Sequence, residues 1–390
     1  MGSEMCIRDS KEGVQILILV PSRELAIQIE QVFKQMGTGF KVNCCYGGHS
    51  TKIERNNLEF PPAVLVGTPG RIAHHIRNNN FDTHSIHTLV LDEFDKSLEF
   101  GFQDDMSEII GQLQYLKKRI LTSATKLEEI PSFTGFENET VVNYLSDTPT
   151  KAVGLKLKLL RSDKKDKLDA LLNLLCWQGS KSTLIFCNHR ESVERVSDLL
   201  YDNAIMHDIF HGGMEQEDRE RALIKFRNGS HQILVTTDLA SRGLDIPEIE
   251  SVVHYHLPLK EDAFIHRNGR TARMNAEGTS YLLLGADEEL PDFITEVPEE
   301  LTLPEASNVP KLTEWQTLYI AAGKKDKINK MDIVGMLCQK GNLVKADLGL
   351  IEVLDHTSYV AVKRDKIEAM LRLVRHEKIK GRGVRMEISK

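Results

Sequence analysis

Val90-Leu91-Asp92-Glu93-Phe94-Asp95 runs an apolar stretch directly into carboxylates. A run of that kind predicts a buried parallel strand, and its carboxylates then stand at the carboxyl end, the edge where open α/β sheets bind ligands. Paired carboxylates at such an edge suit a hydrated Mg²⁺ and a water to be activated. Far downstream, Arg242-Gly243-Leu244-Asp245 and His266-Arg267-Asn268-Gly269-Arg270-Thr271-Ala272-Arg273 form a compact cationic cluster suited to an anion, with phosphate the obvious one. An acidic metal site in one half and arginines in the other describe an NTPase that works by closing two domains.

Composition sets the frame. The 390 residues are 41% hydrophobic and 27% charged, ordinary for a soluble chain of two or three domains. No stretch approaches the roughly 20 apolar residues that span a bilayer, and no secretory leader is visible, so a cytoplasmic protein is expected. Six cysteines show no C-x-x-C pair or zinc spacing, which predicts reduced, packed thiols. The net charge of −7 is uneven: residues 313–390 carry 16 Lys+Arg against 10 Asp+Glu, or +6, which leaves −13 for the rest. A basic tail on an acidic body points to nucleic acid gripped partly at the C-terminus.

Strands are expected at 14–20, 42–46, 63–66 and 119–125, each followed by polar or glycine-containing loops. Met1 to Ser10 show no periodicity and read as a scar rather than native sequence. They run into the first strand without the βαβ unit of about 30 residues that normally precedes such a strand. The phosphate-cradling pattern G-x-x-x-x-G-K-[ST] occurs nowhere in the chain. Ser22 is a fitting N-cap for a helix with Leu25, Ile29, Val32 and Phe33 on one face. Arg23 at that helix start opposes the macrodipole, so a nucleic-acid phosphate nearby is favoured over a solvated charge. Gly47-Gly48 and Thr68-Pro69-Gly70-Arg71 can bring backbone amides and a guanidinium to a sugar-phosphate backbone, although each alone is only a turn. Ser123 either hydrogen-bonds Asp95 or caps a helix.

PSRELA, GG, TPGR, DEFD, SAT, Ile185-Phe186-Cys187-Asn188, Gln216-x-x-Arg219, TTDLASRGLD and HRNGRTAR stand in the order and at loop lengths that resemble a DEAD-box RNA helicase, over nearly all of residues 14–290. The resemblance implies two RecA-like α/β domains, an incomplete one over 11–145 and a second over 153–290, with ATP and RNA bound across the cleft between them. The second is legible by itself: helix 165–176, strand 183–187, helix 190–203, and strands 232–236 and 251–255 alternate as a parallel sheet requires. By resemblance, Asp92 holds Mg²⁺ through water and Glu93 orients or deprotonates the attacking water. Arg270 and Arg273 are the arginine fingers, while Gly243 and Asp245 belong to the nucleotide site, Asp245 on the ribose. Ser123 and Thr125, with Asp95 and His266, couple hydrolysis to strand separation. Arg23, Gly48, Thr68 and Arg71 in one domain, and Asn188, Gln216, Arg219 and Thr236 in the other, form the RNA track.

Two departures matter. Phe94 replaces the alanine usual in this family and must find an apolar pocket or displace something. The segment that carries the phosphate-binding loop and the adenine-reading Gln motif in the family is missing, so this chain is expected to be an N-terminally truncated copy that binds and hydrolyses ATP poorly.

Residues 291–312, with four prolines among carboxylates, read as a linker. Residues 313–390 follow the order βαββαβ of an RRM-like α+β domain. Tyr319 and Tyr359 fall on the strands where such a sheet stacks bases, although packing is the commoner role for a tyrosine there. Lys324, Lys325 and Lys327, and Lys378, Lys380 and Arg382, form basic clusters near the two ends of the fold, suited to phosphate contacts unless merely solvated. GKKDKI, ADLGLIEV, SYVAV and KIKGR resemble the RNA-binding domain of bacterial DbpA-type DEAD-box helicases, which implies structured large-subunit ribosomal RNA and pre-ribosomal particles as partners. The competing class is an ATP-independent RNA-binding protein or RNA chaperone. A DNA helicase of the wider superfamily fits the RRM-like tail less well.

Overall fold

The computed structural model describes residues 13–48, 50–123, 127, 129–137, 140–143, 154–238, 246, 249–271, 278–295, 298–304 and 308–389. Thr125, Gly243, Asp245 and Arg273 of the expected site, and the head at 1–10, lie outside them. By contacts the chain divides into two compact units, with the main boundary between residues 149 and 150.

The first unit alternates strand and helix: β1 (Ile16–Leu19), α1 (Arg23–Gln35), β2 (Val42–Cys45), α2 (Thr51–Leu58), β3 (Val64–Gly67), α3 (Pro69–Arg77), β4 (Thr88–Leu91), α4 (Phe94–Glu99), α5 (Gln103–Gly111) and β5 (Lys118–Leu121). The sheet is wholly parallel in the order β2-β3-β1-β4-β5. Side chains of a strand alternate between faces, and β1 shows it. Ile16 packs with Val64, Val66 and the α1 residues Leu25, Ala26 and Phe33. Leu17 and Leu19 pack with Leu65, Leu89, Ile72 of α3 and Met106 of α5. Helices therefore cover both faces, which is why the strands read as continuous apolar runs. Ser22 caps α1, accepting from the Leu25 N–H at 3.2 Å. Val32, expected on the packed face, is 51% exposed, and Ala26 is buried beside Leu25 and Phe33 instead. Strand β5 closes one edge, and its Lys118 is exposed.

The second unit continues with β6 (Leu155–Arg161), α6 (Leu168–Gln178), β7 (Thr183–Phe186), α7 (Arg190–Asp202), β8 (Asp208–Phe210), α8 (Gln216–Arg227), β9 (Ile233–Thr236), β10 (Ser251–His254), α9 (Glu261–Asn268), β11 (Gly278–Leu284) and β12 (Glu299–Glu300). They build a parallel sheet in the order β12-β6-β11-β10-β7-β9-β8, in which β7, β9 and β10 are buried at every residue. The stretch at 291–312, expected as a linker, is partly built into this sheet. Here β12 pairs with β6, and Leu301 and Leu303 pack on the core. Pro291 opens a turn, with the Ile294 N–H donating to Pro291 O at 2.9 Å, so the stretch is not a free tether.

The tail comprises β13 (Trp315–Ile320), α10 (Lys330–Gln339), β14 (Leu348–Val353), β15 (Ser358–Lys363), α11 (Arg364–Val374), the hairpin β16 (Lys378–Ile379) and β17 (Arg382–Gly383), and β18 (Met386–Ile388). Its antiparallel sheet has the order β14-β15-β13-β18. Leu318, Ile320, Val360 and Val362 face α10 and α11 in a core of their own. The opposite sheet face turns to the end of α8. Asn228 Nδ2 donates to Thr317 Oγ1 at 2.9 Å, Thr317 Oγ1 donates to Ser230 Oγ at 2.7 Å, and Arg227 pairs with Glu352 at 3.1 Å. The sheet face on which bases would stack is thus partly spent on an intramolecular contact. Tyr359 is only 7% exposed, edge-on to Tyr319 with ring centroids 5.5 Å apart, so of the two readings of these tyrosines packing is the one observed at Tyr359.

Candidate nucleotide and RNA sites

In the first unit the chain turns sharply where β4 ends. Glu93 adopts φ +45° and ψ +51°, a left-handed conformation uncommon for a residue with a Cβ and typical of functional turns. Neighbouring groups enforce it. Asp92 Oδ1 accepts from the Glu93 N–H at 3.1 Å and from the Thr122 hydroxyl, and the Phe94 N–H donates to Thr122 O at 3.0 Å. Thr122, at the end of β5, therefore fixes both the carboxylate and the turn, a role invisible in sequence because threonine there is one hydroxyl among several. Phe94 finds its pocket. It is fully buried, with its ring centroid 6.3 Å from that of Phe133. Asp92 and Glu93 are partly exposed hard oxygen donors, and the Asp92 carboxylate is oriented by hydrogen bonds from the Glu93 N–H and the Thr122 hydroxyl, which fits a Mg²⁺ site.

The RNA-track candidates of this unit cluster at the ends of β1, β2 and β3. Gly48 has φ +85°, and a Cβ there would lie 2.5 Å from Arg23 Nη1, so only glycine lets the Arg23 guanidinium lie against the backbone. Thr68 is the N-cap residue of α3, 9% exposed. Arg71 Nη1 lies 3.2 Å from Glu54 Oε2.

In the second unit Arg267 is the hub. It is fully buried, bonds Asp238 through Nε at 2.6 Å and Nη2 at 3.0 Å, and donates to His256 O and Asn188 Oδ1. Its guanidinium also stacks 5.1 Å from the Phe186 ring. A buried arginine needs such bidentate pairing. Asn188 spends its Nδ2 on Leu257 O at 3.0 Å, and both ends of its amide are engaged within the unit. Thr236 is fully buried and donates to Phe210 O at 2.7 Å. These two candidates shape the strand ends rather than present side chains outward. Gln216 and Arg219 stand together on α8, joined at 2.6 Å. His266 and Arg270 follow at the end of α9, both partly exposed. Burial pushes His254 down to about 3 and His256 down to about 4, each helped by the nearby Arg267 and, for His256, first by Lys167.

In the tail, the basic segments meet. Lys380 Nζ donates to Lys327 O at 2.8 Å, and Arg382 pairs with Asp326 at 2.8 Å. Lys324, Lys325, Lys327, Lys378, Lys380 and Arg382 are all exposed. The junction rests on backbone geometry. Lys327, Lys380 and Gly381 have φ of +62°, +50° and +80°, the last two turning the β16–β17 hairpin.

Residues 3–131 match the DEAD/DEAH box helicase model, 166–275 the helicase conserved C-terminal domain and 317–388 the DbpA RNA binding domain. The chain belongs to the DEAD-box RNA helicases of DbpA type. It is 31% identical over 385 residues to the ATP-dependent RNA helicase DbpA of Escherichia coli, covering 96% of this chain and 84% of the relative. It is 33% identical over 317 residues to the ATP-dependent RNA helicase DRS1 of Saccharomyces cerevisiae, covering 78% and 42%. Among solved structures, S. cerevisiae Dbp5 bound to RNA and ADP BeF3 is 26% identical with a TM-score of 0.63, covering 72% of this chain and 73% of that one. Mss116p bound to ssRNA and AMP-PNP is 25% identical with a TM-score of 0.65, covering 76% and 66%. DEAD-box helicases use ATP with Mg²⁺, and in this chain Asp92 and Glu93 stand at the turn after β4. Arg267 and Thr122, the anchors of its two halves, were not singled out from sequence. Arg267 had a signal, since it is the one arginine of the HRNGRTAR run flanked by histidine and asparagine.

Proposed function

We propose that the chain is an ATP-dependent RNA helicase that anchors on structured ribosomal RNA in large-subunit assembly, in the cytoplasm. The observation that carries the substrate assignment is the joined basic patch of the tail: six exposed cations from two segments, locked by Lys380 on Lys327 O. A fixed array of cations suits the phosphates of a folded RNA better than scattered lysines do. In hydrolysis, Glu93 orients or deprotonates the attacking water, Asp92 would hold Mg²⁺, and Arg270 and Arg273 balance charge on the γ-phosphate. When bound, Mg²⁺ would supply Lewis-acid stabilisation of the phosphates. Gly243 and Asp245 contact the nucleotide. Ser123, Thr125, Asp95 and His266 relay its state to the RNA track at Arg23, Gly48, Thr68, Arg71, Gln216 and Arg219, with Asn188 and Thr236 supporting the backbone there. Five free cysteines among the described residues support a reducing compartment.

The second reading is an ATP-independent RNA-binding protein or chaperone, and RNA affinity that does not respond to nucleotide would favour it.

The test of the substrate is a titration of fragments of large-subunit ribosomal RNA, structured and unstructured, against the chain and its Lys327→Ala/Lys380→Ala variant. Preference for a structured fragment is expected. The slope of log affinity on log salt should fall by about one for each lysine removed. Equal affinity for all fragments, or an unchanged slope, would count against the anchor.

A further inference from the structure

A buried cluster in the first unit is not used by the chemistry above. Cys45, Glu54 and His75 are all buried, with one ligand atom from each within 4.8 Å of the others. Such a trio suggests a metal site. The hydrogen bonds argue otherwise. Asn80 Nδ2 donates to His75 Nδ1 at 2.8 Å, which places the imidazole proton on Nε2, and Nε2 donates to Glu54 Oε2 at 2.9 Å. That nitrogen has no lone pair to offer. Burial raises the Cys45 thiol far above its ordinary value, so it stays protonated. Arg71, 3.2 Å from Glu54 Oε2, already brings a cation.

The cluster is therefore built around one carboxylate. Glu54 is 1% exposed, and a buried carboxylate is costly unless several donors surround it. Its donors come from two places that matter. The Tyr46 N–H, bonded to Glu54 Oε1 at 3.1 Å, immediately precedes Gly47-Gly48. Arg71 belongs to the first turn of α3, in Thr68-Pro69-Gly70-Arg71. Gly48 in turn seats the guanidinium of Arg23. One buried side chain on α2 thus joins two loops of the RNA track, the first of which lies against Arg23.

We propose that Glu54 is a positioning residue for RNA binding: it holds the Gly47-Gly48 turn and Arg71 in register on one strand of RNA, and the His75–Asn80 pair fixes its carboxylate. This rests on the RNA-track reading of Arg23, Gly48 and Arg71 above.

The test measures affinity of the full chain for a fluorescein-labelled oligouridine by anisotropy. The variants are Glu54→Gln, Arg71→Ala, their double, and each single combined with Lys380→Ala in the tail. Glu54→Gln and Arg71→Ala should each weaken binding about tenfold, the loss of one charge-assisted contact. The double should be no weaker than either single within about twofold, while either one combined with Lys380→Ala should multiply, as independent sites do. A merely structural role for Glu54 would not produce that selective pairing with Arg71. If Glu54→Gln melts without a cooperative transition, His75→Gln takes its place, and unchanged affinity in His75→Gln overturns the proposal. Full affinity in Glu54→Gln beside a weakened Arg71→Ala also overturns it, leaving the RNA track intact. Unchanged affinity in Arg71→Ala sinks the RNA track at that residue and the proposal with it.

Discussion

Replacing Thr317 by valine should loosen the tail from the body of the second unit without unfolding either. Thr317 is 2% exposed, and Ser230 and Asn228 beside it are 1% and 7% exposed. The hydroxyl accepts from Asn228 Nδ2 at 2.9 Å and donates to Ser230 Oγ at 2.7 Å. Valine keeps the shape and removes both bonds, stranding a buried amide donor and a buried hydroxyl. Each such group costs about 1–3 kcal/mol. Ser230 Oγ retains the freedom to turn toward a carbonyl, so the lower half of that range applies to it and the sum is about 2–5 kcal/mol. That corresponds to roughly a 30- to 5,000-fold shift in the docking equilibrium. Trp315 reports on the contact, because Gly229 of the body packs against it, whereas the chain's other tryptophan, Trp177, lies on α6. Limited proteolysis within 291–312 and the emission maximum of Trp315 in a Trp177→Phe background should both show a released tail. Thr317→Ser, which keeps the hydroxyl, should behave nearly as the parent. If Thr317→Val resists cleavage as well as the parent does and leaves the emission unmoved, the polar contact does not hold the tail.

Phe94→Ala should destabilise the first unit by about 3–5 kcal/mol, the cost of emptying a fully buried aromatic site, read as a lower urea midpoint at unchanged slope; a change below about 1 kcal/mol would mean the pocket collapses freely. The histidines of the second unit predict acid sensitivity. His254 and His256 are held well below the ordinary 6.5 in the folded chain, so the unfolded chain binds protons first as pH falls. Stability is fully present above about pH 6.5 and is lost toward pH 4, by up to roughly 1.4 kcal/mol per pH unit per histidine. Urea melts at pH 7 and pH 5 measure it, and a His254→Gln variant with the same pH dependence as the parent would refute the assignment.

Much of this architecture was legible because parallel strands covered on both faces must be apolar throughout. The stretches at 183–187, 190–203 and 251–255 fall within a residue of β7, α7 and β10. Legibility failed where the answer depended on which long-range partner a polar side chain meets. Nothing in Asn188 or Thr236 says that their side chains turn inward to Arg267 and Phe210 O. Nor does sequence distance show that Lys327 and Lys380 touch, since hairpin geometry far down the chain creates that contact. Acidic, proline-bearing composition at 291–312 hid two leucines that anchor the stretch. The carboxylates of β4 were read correctly as belonging to a strand end, but the left-handed turn at Glu93 is set by Thr122 on a neighbouring strand and has no local signature.

The most direct measurement is steady-state ATP turnover, with and without large-subunit ribosomal RNA, of this polypeptide and of a chimera in which residues 1–12 are replaced by a segment bearing a phosphate-binding loop. RNA-stimulated turnover in the chimera, abolished by Glu93→Gln and near absent in the unmodified polypeptide, is the predicted result. A chimera that binds the RNA but shows no turnover above background would contradict the helicase account and leave an ATP-independent RNA-binding protein.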